Sequence, residues 1–374
     1  VTASGQPREA ALVYKDDLRF MALALALGRR GLGRTWPNPA VGAVLVNEGA
    51  IVGRGWTQPA GRPHAEVEAL RRAGAAARGA TLYVTLEPCS HFGKSPPCAD
   101  AIVAAGVSRV VSAMEDPNPE VAGQGHARLR ARGIAVEIGA GEAEARRDHA
   151  GHIRRIRDGR PHVTLKLAVS ADGKIAAAGG RPLPITGEAG RERVHLMRAQ
   201  SDAILIGIGT ALADDPMLTC RLPGMAHASP VRVVLDSSLR LPLGCRLAQS
   251  AREVPLWAIA GVDAPRAAEE DLRARGVEVL RVDVANGRLD VAAALKLLAA
   301  RGMTRLLVEG GPTVAAAFLA ADFVDEAMLF VSPKRIGSGG IDAFNPSAEI
   351  ALLRLRQEEA EQIGADRLEV YKRG

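Results

Sequence analysis

Short strand-like runs alternate with Ala- and Leu-rich stretches of helical period along most of this chain, and the alternation starts afresh after one break. Strands that alternate with helices must bury their faces under those helices, so the chain is confined to layered α/β folds. In the first series, a helical stretch from Asp16 to about Gly33 precedes "AVGAVLV" and "AIVGRGW", two strands joined by the turn-like "NEGA". "HAEVEALRRAGAAA", "CADAIVAAGV" and "GQGHARLRARG" then read as helices between the strands "ATLYVTLEP", "RVVSAME" and "AVEIG". The second series contains the strands "HVTLKLAVS", "AILIGIG", "VRVVLD", "VPLWAIA", "VEVLRVD", "RLLVEGG" and "EAMLFVSP". Its helices are "EAGRERVHLMRAQ", "DVAAALKLLAARG" and "PTVAAAFLAAD". The break between the series, "HAGHIRRIRDGRP", is basic and ends in Gly-Arg-Pro. We therefore expect domains at 16–148 and 161–374 with a linker at 149–160, and 374 residues suffice for two cores.

Composition excludes several classes of function. Aromatic residues make up only 3%, which argues against sequence-tolerant stacking on single-stranded nucleic acid. The net charge of +6 is spread along the chain, and it suits anionic small molecules or a plain arginine-rich surface. Four cysteines are too few for a disulfide framework, and no run approaches the ~20 apolar residues of a membrane span. "VTASGQPREA" lacks a signal-peptide pattern. A cytoplasmic protein without membrane or nucleic-acid partners is expected.

The chemistry concentrates first in "PHAEVEAL" and "LEPCSHFGKSPPCAD". His64 opens a helical run, Cys89 follows a strand and Pro88, and Cys98 opens a helix behind Pro96 and Pro97. Taken singly, each has an ordinary explanation as a cap or a core residue. Together they offer one nitrogen and two sulfurs to zinc, one ligand short of a closed structural site, so a position stays open for water. Zinc makes water a nucleophile near neutral pH, and Glu66, two residues past His64, can shuttle the proton. This is the logic of hydrolytic deamination. The common signature has two residues between the cysteines, whereas eight, "SHFGKSPP", separate them here.

With those motifs in place, residues 33–139 resemble the deaminase domain of the bifunctional riboflavin-biosynthesis deaminase/reductase family. The likeness lies in "GRTWPNPAVGAVLV", "HAEVEAL", "EPCSHFGKSPPCADAI" and "EDPNP", and the long cysteine spacing is itself a family mark. The resemblance implies a cytidine-deaminase-like three-layer sandwich. It also implies that Asn38, His91, Lys94, Asp116 and Asn118 hold the substrate.

The second half carries weaker local signals. "LLVEGGPTVAAAFL" is a strand, a glycine turn and a helix whose free N–H groups suit a phosphate. "ILIGIGTALADDP" reads as another glycine-rich turn that ends in acidic residues, and "VVLDSSLRLP" sets Ser237, Ser238 and Arg240 after a strand, where hydroxyls and a guanidinium can hold a ribose phosphate. Along with "LKLAVSADGKIA", these stretches resemble the reductase domain of the same family. That resemblance implies a dihydrofolate-reductase-like fold and NADPH as cofactor. It places Ala168, Thr186, Thr210, Asp214, Ser237, Gly311, Pro312 and Thr313 at the cofactor, and Arg198, Leu218, Arg221 and Glu309 at the substrate. Lys166 and Glu309 are the candidates for polar work at the reacting ribose carbon. Pro184 stands where the family often has an aromatic residue. Cys220 and Cys245 read as structural or incidental.

The expected activity is zinc-dependent deamination of a phosphorylated diaminopyrimidine, followed by NADPH reduction of its ribosyl group, in a homo-oligomer. Two rivals share parts of the pattern. A tRNA adenosine deaminase would use the same zinc chemistry without the second half. A non-catalytic zinc-binding regulatory protein would leave Glu66 unexplained.

Overall fold

The computed structural model describes residues 6–93, 96–180, 183–285 and 287–373. The chain divides into two compact units, 1–159 and 160–374.

The first unit holds β1 (Gly42–Asn47), β2 (Ala50–Trp56), β3 (Thr81–Val84), β4 (Arg109–Ser112) and β5 (Ala135–Ile138) in one sheet of order β2-β1-β3-β4-β5. β1 pairs antiparallel with β2 and β3, and β3, β4 and β5 run parallel. The helices are α1 (Gln6–Gly28), α2 (Ala65–Ala73), α3 (Cys98–Ala104), α4 (Gln124–Arg130), α5 (Glu142–Asp148) and α6 (Ala150–Asp158). A side chain at Gly42 would run into the Ala24 carbonyl of α1, and one at Gly55 into the Ala65 carbonyl of α2. Gly55 pairs with Ala43, the neighbour of Gly42, and successive residues of a strand face opposite ways. α1 and α2 therefore cover opposite faces, which makes three layers. The core between them is built from small and branched residues such as Ala24, Leu25, Val44, Leu45, Ala69, Leu82 and Ile102.

The stretch expected as a linker is mostly helix α6. His149, at its head, is buried, with Nε2 3.2 Å from Thr85 Oγ1. Its basic residues lie along one helix rather than in a flexible tether, and Arg154 pairs with Asp158 one turn on.

The second unit is built on a sheet of order β11-β10-β9-β8-β14-β6-β15-β18-β17. Its strands are β6 (His162–Val169), β8 (Ala203–Gly207), β9 (Val231–Leu235), β10 (Leu256–Gly261), β11 (Glu278–Val282), β14 (Arg305–Val308), β15 (Glu326–Val331), β17 (Arg356–Ile363) and β18 (Asp366–Lys372). Two small ribbons flank it: β7 (Lys174–Ala176) with β16 (Ile341–Asp342), and β12 (Val284–Ala285) with β13 (Arg288–Leu289). The helices are α7 (Glu188–Ala199), α8 (Ile208–Asp214), α9 (Arg246–Gln249), α10 (Arg266–Ala274), α11 (Val291–Ala300), α12 (Pro312–Ala320) and α13 (Pro346–Leu352). The seven strands from β11 to β15 in the sheet order run parallel, β18 pairs antiparallel with β15, and β17 pairs antiparallel with β18 at the edge. Buried carboxylates pin the strand order. Asp202 accepts the N–H groups of Thr304 and Arg305 at 2.7 and 2.9 Å, which joins β8 to β14. Asp325 accepts both terminal nitrogens of Arg160 and the Val163 N–H, which joins β15 to β6.

Two sequence expectations change here. The segment after "AILIG", expected as a turn, is helix α8. The hairpin β17–β18 was not anticipated. β17 is polar, "RQEEAEQI", because it forms an exposed sheet edge where charge discourages pairing with other chains.

Candidate functional site

In the first unit, His64 sits at the N-cap of α2, and its ring makes no capping bond. The ring is thus free to turn toward the cysteines: Nδ1 lies 3.3 Å from Cys98 Sγ and 3.7 Å from Cys89 Sγ. The three ligand atoms all lie within 4.8 Å of one another. Cys98 is the first residue of α3, and its N–H donates to Cys89 Sγ at 3.2 Å, so the loop sulfur is held by the helix that presents the other sulfur. One imidazole nitrogen and two sulfurs at this spacing suit zinc.

The electrostatics agree with that donor set. Cys89 is pulled down to about 4, first by the Cys98 hydrogen bond, while the same bond and burial push the Cys98 thiol far up. Two sulfurs this close share one proton, and a bound cation would release it. Glu66 lies in the first turn of α2 and is 3% exposed. Burial first, then the negative Cys89, holds its carboxyl above the usual range. A buried carboxyl beside the ligands, and not one of them, can take up and release a proton.

Around these residues, Asn38 donates from Nδ2 to the Gly61 carbonyl at 2.8 Å and is half-buried. His91 is exposed on the loop that leads away from Cys89. Asp116 is half-buried, accepts the Asn118 N–H at 2.9 Å, and has its pKa raised chiefly by burial. Lys94 lies outside the described residues.

Sequence reasoning missed Glu87. Its carboxylate is 6% exposed and accepts the backbone N–H groups of Asp116, Gly123 and Gly125 at 3.0, 2.9 and 2.8 Å. It thereby ties the Asp116–Asn118 loop to the strand end that carries Cys89. The motif "EPC" contained the signal, an acid two residues before a ligand, but its partners are nearly thirty or more positions away.

In the second unit a cavity of about 820 Å³ opens at the carboxyl ends of the parallel strands. Ligand crevices in open α/β sheets form there, at the point where the strand order reverses. Here β14 returns late in the chain to sit between β8 and β6. Lys166, Ala168, Thr186, Arg198, Thr210, Asp214, Leu218, Ser237, Glu309, Gly311, Pro312 and Thr313 all line the cavity. Arg221 does not, and is exposed beyond it, its N–H 3.4 Å from His195 Nδ1. Pro184 lines the cavity and accepts Lys334 Nζ through its carbonyl at 2.7 Å.

The polar centre of the cavity is Glu309. Arg198 Nε and Nη2 donate to its two oxygens at 2.7 and 2.8 Å, and Lys166 Nζ is 3.9 Å away. Burial alone would raise the Glu309 carboxyl, but the Arg198 charge outweighs it and holds the group down at about 2. Burial lowers Lys166, against the pull of Glu309, so its ammonium gives up a proton more readily than a surface lysine. Leu218 occupies the left-handed region at φ 56 against this cavity, a costly conformation for a branched side chain that tends to mark functional sites.

Comparison with known proteins covers both units. Residues 14–114 match the family model of the cytidine and deoxycytidylate deaminase zinc-binding region, and residues 161–368 match the RibD C-terminal domain. The riboflavin biosynthesis protein RibD of Aquifex aeolicus is 40% identical over 368 residues, covering 97% of this chain and 100% of that one. The Escherichia coli protein of the same name is 44% identical over 334 residues, covering 86% and 89%. A structure of Acinetobacter baumannii RibD matches with a TM-score of 0.86 at 37% identity, over 96% of this chain and 99% of that chain. A Thermotoga maritima structure matches with a TM-score of 0.84 at 35% identity over the same shares. It is described as a diaminohydroxyphosphoribosylaminopyrimidine deaminase/5-amino-6-(5-phosphoribosylamino)uracil reductase.

Proposed function

Since this chain belongs to the RibD family of riboflavin biosynthesis proteins, a bifunctional deaminase and reductase, we propose that its two units act in turn on one phosphorylated pyrimidine. The first unit hydrolyses the ring amine of 2,5-diamino-6-ribosylamino-4(3H)-pyrimidinone 5′-phosphate. The second reduces the ribosyl group of the resulting uracil to ribityl. The observation that carries this reading is the meeting of His64, Cys89 and Cys98 beside the buried Glu66.

His64 Nδ1 and the two sulfurs would hold zinc, which supplies a Lewis acid that makes water nucleophilic at neutral pH. Glu66 takes the proton from the attacking water and hands it to the departing amine. Ammonia leaves and the ring carbon keeps the oxygen. The raised pKa of Glu66 brings its proton affinity closer to what that relay needs. Asn38, Asp116 and Asn118 orient the pyrimidine, and His91 and Lys94 meet its phosphate.

In the second unit Thr186, Thr210, Asp214, Ser237 and the turn from Gly311 would hold NADPH, which would supply hydride to the ribosyl carbon bound to the amine. Lys166 gives a proton to the ribose oxygen as the ring opens, which its lowered pKa favours. Glu309, fixed by Arg198, holds Lys166 and the sugar hydroxyls in place. Arg221, exposed and not on the cavity wall, is the second arginine assigned to the substrate phosphate. The scarcity of aromatic residues supports a small-molecule substrate over nucleic acid, and the lack of a counterpart for the second unit in a tRNA deaminase argues the same way. Among the described residues no helix is long and apolar enough to cross a membrane. The four free cysteines suit the reducing cytoplasm, where the enzyme is taken to act as a homo-oligomer.

The test is NADPH oxidation by the purified protein supplied with the diaminopyrimidine phosphate, run beside Glu66→Ala. Wild type should consume NADPH, and the variant should do so only with the deaminated uracil, while keeping its zinc. A wild type that ignores the diamino compound but accepts the uracil would overturn the deaminase assignment.

A further inference from the structure

Helix α7 reaches the segment 218–221 with two side chains one turn apart, His195 and Arg198. Arg198 Nη1 donates to the Thr219 carbonyl at 3.2 Å, and the Arg221 N–H donates to His195 Nδ1 at 3.4 Å. Between those two bonds, the Cys220 N–H donates to Ser229 Oγ at 3.1 Å. Three consecutive residues therefore each have a backbone atom held by a side chain from another segment. The hold begins directly after Leu218, whose left-handed backbone at φ 56 persists only where its surroundings over-determine it. Leu218, Thr219 and Cys220 are buried, and Arg221 emerges exposed.

Arg198 already serves the cavity through its ion pair with Glu309. His195 has no such second duty, since it does not line the cavity. Its bond to Arg221 matters because the Arg221 guanidinium makes no hydrogen bond or ion pair among the described residues. The positive charges of Arg198 and Arg246 both act on that guanidinium. Arg246 is brought there by its own N–H, which donates to Asp215 Oδ1 at 2.8 Å, at the start of the loop that carries Arg221. Like charges repel, so on an unrestrained loop the Arg221 side chain would turn away from the other two. A charged imidazole could not accept the Arg221 N–H, because both of its nitrogens would be donors. Burial first, then the charges of Arg198 and Arg221, holds the His195 ring below the ordinary histidine range, against the pull of the Thr219 carbonyl and Glu309. The ring thus stays neutral and keeps Nδ1 as an acceptor.

We propose that His195 is a positioning residue of the reductase: it fixes the backbone of Arg221 and so directs that guanidinium at the substrate. This rests on the reading of Arg221 as a substrate residue. His195 is half-buried on the surface of α7, and it acts through Arg221 rather than on the reacting atoms.

The test is steady-state kinetics of NADPH oxidation by the full-length protein with the deaminated uracil phosphate. Wild type is run beside His195→Leu, His195→Asn, Arg221→Gln and the double variant of His195→Leu with Arg221→Gln. His195→Leu should raise the KM for the uracil about tenfold, the loss of one aligned contact, with kcat and the KM for NADPH within about twofold of wild type. His195→Asn, whose Oδ1 can accept the Arg221 N–H, should bring the KM back to within about twofold of wild type. The double variant should be no worse than Arg221→Gln alone, because the two residues act as one unit. An unchanged KM in His195→Leu while Arg221→Gln raises it overturns the role of His195 and leaves Arg221 at the substrate. Equal losses in kcat and in the KM for NADPH, failure of Asn to rescue, or additive effects in the double variant overturn it as well. An unchanged KM in Arg221→Gln overturns the reading of Arg221 and the proposal with it.

Discussion

Gly125 is the position where a single methyl group should separate the two activities. It lies in the first turn of α4, and a Cβ built there stands 2.0 Å from the Pro88 carbonyl oxygen and 3.1 Å from Glu87 Oε1. Carbon and oxygen do not rest closer than about 3 Å, so Gly125→Ala must part α4 from the Pro88 backbone by about 1 Å. Neither partner can yield without cost. Moving Pro88 drags Cys89, the next residue. Moving α4 breaks the bonds from Gly123 and Gly125 to Glu87, which hold the Asp116–Asn118 loop. Overpacking of this kind costs about 1–3 kcal/mol of stability, which a folded unit can survive. A displacement of about 1 Å at a catalytic site costs on the order of a hundredfold in rate. The assay pairs deaminase turnover with zinc content by mass spectrometry, and uses NADPH oxidation with the deaminated uracil as an internal control. Deamination should fall about a hundredfold while reduction holds. Deamination within about threefold of wild type would refute the claim that this contact sets the position of Cys89.

Glu87→Gln should weaken the three N–H bonds to its carboxylate by about 1.5–3 kcal/mol in sum, seen as faster hydrogen exchange at residues 116–125; unchanged exchange would deny Glu87 its anchoring role. Removal of the metal with a chelator should abolish deamination and leave reduction of the uracil intact, and loss of both activities would mean the units do not work independently. For Glu309 the folded carboxyl lies at about 2 against an ordinary 4.5, so its contribution to stability is fully present above about 4.5 and is lost as pH falls through about 2. The shift is worth about 3 kcal/mol, so Glu309→Gln should flatten the acid limb of the second unit's unfolding curve in that window. An unchanged acid limb would show that Arg198 does not stabilise the carboxylate.

What could be read from the sequence was what neighbours in sequence determine. The α/β alternation followed from local period, and the first-unit strands lie where those runs predict them. His64, Glu66, Cys89 and Cys98 were recognisable because each sits at a fixed offset from an element's end: a helix cap, the first turn, a strand exit and a helix start. The β17–β18 hairpin escaped notice because a polar edge strand lacks the apolar run that marks its buried neighbours.

Tertiary structure alone decided the rest. No local pattern says that β14 inserts between β8 and β6, yet that order brings Glu309 beside Lys166 and Arg198, distant residues of three different elements. Nor does any spacing reveal that Glu87 gathers amides from 116 to 125, or that Arg288 and Ser237 line one cavity. Each metal ligand sits at the end of a local element, although His64 and Cys98 meet across 34 positions of chain. A cavity at the end of a parallel sheet is set by the order in which strands return to it, and that order depends on long-range burial and on clamps such as Asp202 and Asp325.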